Sequence, residues 1–151
     1  MKLIEGVIDT VMEYLQDNIA AKIAIVDAEY ADFPLEEIKA WYMAEVKEVP
    51  EYPSIFVLGE RSEVREEGDN YVRALHLVTI LVIAIDQDTE QLRRKLYRYT
   101  RVISDLLRDS RASTDYVTTI VSFEYSPMFA RGESEFIADA RLVVEFVVYE
   151  T

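Results

Sequence analysis

The final strand constrains the fold of this chain more than any other stretch. From Ser134 to Tyr149 the residues alternate, with Phe136, Ala138, Ala140, Leu142, Val144, Phe146 and Val148 on one side and Glu135, Asp139, Arg141 and Glu145 on the other. Side chains of a strand point alternately to its two faces, so one side meets a core and the other meets water or a neighbour. A strand of this length buries its apolar row only as part of a sheet that other elements cover.

The covering elements are legible as helical periodicity. Ile4, Ile8, Val11, Leu15, Ile19, Ile23, Val26 and Tyr30 recur at steps of three and four, which predicts one long helix or two broken near Asp17 and Asn18. Pro34 suits the first position of a short helix, with Glu36 and Glu37 in its first turn and Leu35, Ile38 and Tyr42 facing inward. Pro50 and Pro53 impose extended backbone before a first strand at Ser54–Leu58. The charged stretch from Gly59 to Asn70 ends in turn-forming residues and reads as an acidic hairpin loop. Tyr71–Ile85 follows as a long strand, apolar on both faces in its later half and therefore central. Asp86–Glu90 opens a helix whose stripe is Leu92, Leu96, Tyr99, Ile103 and Leu106, and Val117, Val121, Phe123 and Tyr125 mark a third strand. The expected architecture is α+β, in the order α-α-β-β-α-β-β. It is a four-stranded, mainly antiparallel sheet with helices packed against it, forming a single domain over residues 1–151.

The sequence contains no cysteine, which removes disulfides, thiolate zinc sites and thiol nucleophiles and suits a reducing compartment. Glu5, Asp9 and Glu13 interrupt the N-terminal stretch where a signal peptide needs an apolar run, and no stretch approaches about 20 apolar residues. A soluble, cytosolic protein that neither crosses nor binds membranes is expected. The net charge of −13 opposes indiscriminate binding to nucleic acid or anionic lipid. Asp88–Arg111 stands apart, with seven basic and four acidic residues against the acidic remainder.

Candidate sites reduce to surfaces. Asp86, Asp88 and Glu90 alternate like the start of a calcium loop, but Gln91 and Tyr97 stand where that loop needs glycine and glutamate, and helix capping accounts for the acids. His76 lies within a strand with no partner visible in the sequence, and the scattered glycines form no phosphate-binding loop. No catalytic, cofactor or metal residues are assigned, and an enzyme is not expected. Arg93, Arg94, Arg98 and Arg101, with Lys95, crowd one side of a helix. They fit phosphate binding, a solvated face supported by pairs such as Glu90–Arg94, or contact with an acidic neighbour such as a second copy of the chain. Met128 and Phe129 sit at an expected hairpin tip, either folded back on the core or offered to a partner.

The order of elements, the Tyr52-Pro53-Ser54-Ile55-Phe56-Val57 entry to the first strand, the long strand ending at Asp86 and the closing ARLVVEFVVYET together resemble the phage tail terminator family of lambda-type siphophages. Leu35–Val46 departs from the compact pattern of that family. The resemblance implies a homo-oligomeric ring, commonly hexameric, that caps the tail tube, stops its elongation and joins it to the head connector. It implies tail-tube and head-connector proteins as partners, assembly in the host cytoplasm, a final place in the virion tail, and DNA that passes without tight binding. Glu60, Glu63, Glu66, Glu67 and Asp69 are then candidates to line the lumen. A head-completion protein of the same neck and a small ligand-binding module are the alternatives.

Overall fold

The computed structural model describes residues 3–66, 68, 72–110 and 116–150. Helix α1 (Ile4–Asp27) is continuous, so Asp17 and Asn18 do not break it. It buries Ile8, Val11, Leu15, Ile19, Ile23 and Val26 of the expected row together with Val7 and Met12, while Ile4 is partly buried and Tyr30 lies exposed beyond the helix. Helix α2 (Thr89–Asp109) starts where the Asp88 side chain accepts the Gln91 N–H at 2.9 Å, the capping role assigned to it from sequence.

The four-stranded expectation is overturned: among the described residues six strands form one mixed sheet, in the order β1-β2-β3-β6-β4, with β5 pairing β6 beyond the end of β4. The strands are β1 (Ala40–Tyr42), β2 (Ser54–Glu66), β3 (Val72–Asp86), β4 (Tyr116–Tyr125), β5 (Phe129–Arg131) and β6 (Glu135–Glu150). Only two α-helices are present among the described residues, because the helix expected after Pro34 does not form. Its residues run extended. Lys39 N–H donates to the Pro53 carbonyl at 2.8 Å, and Ala40, Trp41 and Tyr42 pair in parallel with Ser54, Ile55 and Phe56. Residues with high strand propensity beside an open sheet edge satisfy their backbone there, and this outweighs the favourable first turn. Pro127 explains the other extra strand. It has no N–H to give, so the edge beside β6 divides into β4 and the short β5.

The supposed acidic loop is also mostly strand. β2 continues to Glu66, paired antiparallel with β3 across a bulge at Gly59/Arg61. β3 is central as expected, between β2 and β6, but among the described residues no helix covers its second face. There Leu81 and Ile83 lie half-buried beside Val46 and Val49 of the segment that follows β1. On the helix side, Ile55 and Val57 of β2, Val78, Ile80 and Val82 of β3, and Leu142, Val144 and Phe146 of β6 join both helices in one core.

Candidate assembly surfaces

The basic face of α2 is occupied by the chain itself. Residues 28–39, between α1 and β1, cross that face as an acidic strap. Glu29 accepts from both terminal guanidinium nitrogens of Arg101, at 2.5 and 2.9 Å. Asp32 accepts from Arg98 at 2.8 Å, and that bond holds its carboxyl below the ordinary carboxylate value. The Arg98 guanidinium carbon lies 4.0 Å from the Tyr30 ring centre and 4.1 Å from that of Phe33, so the buried cation is stacked as well as paired. Beside it Tyr99 donates to the Glu36 carbonyl at 2.7 Å.

Lys95 is enclosed almost as fully as Arg98. Its ammonium lies 2.7 Å from Asp86 and 2.8 Å from Glu36, with the Lys95 and Asp86 side chains 7% and 11% exposed. Burial works against the Lys95 charge, yet the bonds to Asp86 and Glu36 outweigh it and the ammonium titrates above its ordinary value. Burial likewise pushes Asp86 up, while the Asp88 N–H, Lys95 and Gln91 together pull it below the usual carboxylate range. Asp86 therefore closes the strap at the base of β3.

The remaining cations of α2 also have acceptors within the chain. Arg93 donates to the Ser126 carbonyl at 3.1 Å, and Arg94 pairs with Glu90 at 2.9 Å in the exposed i,i+4 arrangement expected from sequence. From sequence, an acidic neighbour is expected in a second copy of the chain; the trace of the intrachain partner lay in Glu29, Asp32 and Glu36, which precede a helix of opposite charge.

Met128 and Phe129 separate. Met128 is half-buried against the core and Phe129 is 60% exposed. They are not at the hairpin tip, which falls after β5 at Gly132, where φ is +69° and glycine is suited. Of the acidic candidates, Glu60, Glu63 and Glu66 are exposed along β2 and interleave with exposed Arg61 and Arg65; Glu67 and Asp69 lie outside the described residues. His76 is buried and shares a 2.8 Å hydrogen bond with Ser62.

One surface was missed by sequence reasoning as a site. β4 is the edge strand on the far side of β6, and Val117, Val121, Phe123 and Tyr125 along it are 38–53% exposed. Ten residues long, β4 carries Glu124 as its only charge. Natural edge strands are usually blunted by lysine, proline, brevity or a bulge, and this one has only a bulge, between Ile120 and Ser122. Tyr97 of α2, 51% exposed, meets Tyr125 edge-on at 5.0 Å and extends the apolar flank onto the helix layer.

Among the described residues no three His, Asp or Glu side chains form a metal-binding group, and no helix is long and apolar enough to cross a membrane. No protein family and no curated protein matches the sequence. Among solved structures, a chain described as "Virion of native gene transfer agent (GTA) particle" aligns over 90% of both chains, at 16% identity and a TM-score of 0.40.

Proposed function

We propose that this chain is a structural subunit of a phage-type virion, a tail terminator that assembles into a ring, caps the tail tube, stops its elongation and meets the head connector. The observation that carries this reading is the β4 flank. A ten-residue, nearly uncharged edge with large exposed apolar side chains is a surface for another protein chain. The resemblance to tail terminators supplies the role, and the flank supplies the means of assembly. A ring joins unlike patches of successive subunits, and Phe129 and Arg94 are the exposed members of the earlier interface candidates. Arg93, Arg98, Arg101 and Met128 contribute from beneath, by holding the strap and the β4–β5 edge in place.

The expected ring is hexameric, with tail-tube and head-connector proteins above and below it and no catalytic step. Adding the protein to growing tail tubes and measuring tube length by electron microscopy tests the role. Capped tubes of fixed length are expected; tubes that grow equally long with and without the protein would contradict it.

The acids of the β2–β3 arm have a part in the same reading. Six copies at −13 carry −78, and carboxylates facing a lumen repel the phosphates of passing DNA. Replacing Glu60, Glu63, Glu66, Glu67 and Asp69 together by lysine is expected to create salt-sensitive duplex binding and to slow ejection from particles carrying the variant. Unchanged ejection would remove the arm from the lumen.

A further inference from the structure

Resting on the ring reading, we infer that subunits join by extending one another's sheet: β4 of one copy pairs antiparallel with the free edge of β2 in the next. Both edges are open among the described residues. β1 covers β2 only at Ser54–Phe56, so Arg61–Glu66 has β3 on one side and no strand on the other. β4 has β6 on one side and no strand on the other.

The two edges also match in height and direction. Arg61 pairs with Leu77, Leu77 with Glu145, and Glu145 with Thr119, making one row across the sheet from edge to edge. A second row runs Val64, Ala74, Val148, Tyr116. Arg61 to Val64 on one side therefore stands level with Thr119 to Tyr116 on the other, with the chain directions opposed. Rotation about an axis roughly along the strands brings β2 of the next copy beside β4 in the antiparallel sense, and each added copy presents the same free edge again.

Charge selects the second copy as the occupant. On the face away from the helices the β2 edge carries Arg61 and Arg65, with Arg73 beside them on β3, against Glu60 and Glu63. The same face near β4 carries Glu124, Glu145 and Asp139 against Arg141, which pairs with Asp139 at 3.4 Å. Head-to-tail joining brings the arginines of one copy toward the glutamates of the next, whereas two β4 edges meeting each other bring glutamates together. The Arg61–Glu63 contact, at 3.5 Å between half-exposed side chains, is weak enough to be exchanged.

The absence of cysteine makes the test direct. A Thr119→Cys/Glu63→Cys protein, treated with a short bismaleimide, is expected to give a covalent ladder extending past the dimer to a closed ring, while Thr119→Cys alone gives no intermolecular product. Crosslinked dimers from Thr119→Cys alone, with no longer products from the double variant, would overturn the inference in favour of a two-fold contact. If native mass measurement of the same double variant shows a ring and the reagent joins none of its subunits, the sheet-edge contact is wrong and the ring reading stands. A protein that stays monomeric with and without tubes would overturn both.

Discussion

Lys95→Ala is expected to destabilise the fold by about 3 kcal/mol, because it leaves Asp86 enclosed at the base of β3 without its cation. In a chain of 151 residues this corresponds to a fall in Tm of about 6–12 °C. Removing both charges, in Asp86→Asn/Lys95→Met, is expected to cost clearly less than Lys95→Ala alone, since neither partner is then stranded. Arg94→Ala, at the exposed end of the same helix, is expected to leave Tm unchanged. The pH dependence has a definite sign. The folded pKa of Asp86 is lowered, so its contribution is complete above the ordinary carboxylate value of 3.8 and is lost as pH falls through the lower folded value. That of Lys95 is raised, so its contribution is complete below 10.5 and is lost as pH rises through the higher folded value. Thermal melts of the parent and the three variants across pH check these expectations. Equal destabilisation by Lys95→Ala and by the double replacement would show that the pair is not coupled.

The strap shows where sequence reasoning reached and where it stopped. The cationic helix face was visible from Arg93, Arg94, Lys95, Arg98 and Arg101, and an acidic neighbour was among the readings it allowed. That Glu29, Asp32 and Glu36 of the same chain are that neighbour depends on a chain path that spacing does not encode. The alternation in β6 and the stripe on α2 were legible because one face of each is buried throughout, and burial imposes its period on the residues. The extended segment after Pro34 was not legible. Glu36 and Glu37 suit a helix N-terminus locally, while the pairing of Ala40–Tyr42 with Ser54–Phe56 is a nonlocal gain. β2 beyond Gly59 was hidden for a related reason: a strand exposed on both faces has no apolar period to read, and its charges resemble a loop. The β4 flank left its trace in Val117, Val121, Phe123 and Tyr125, which marked a third strand, but nothing in their spacing separates an exposed edge from a buried one.

Val117→Lys/Val121→Lys is expected to abolish assembly while leaving the monomer folded. Both side chains are 53% exposed, so the substitutions disturb no core packing, yet they place two cations along the uncharged stretch of β4. Lysine on an edge strand is a recognised block to strand pairing, and here it also removes apolar surface from the contact. The far-ultraviolet circular dichroism and Tm of the variant should match those of the parent, with the assembled species missing. If the variant assembles as fully as the parent, the β4 flank is a solvent-facing edge and not the contact between subunits.

The central claim is that this chain works by joining copies of itself into a closed ring, and native mass measurement of the purified protein, alone and with tail tubes, tests it most directly. A chain of 17.5 kDa in a hexameric ring gives a particle of about six times that mass, and this species is predicted in at least the sample with tubes. A single 17.5 kDa species in both samples would contradict the account.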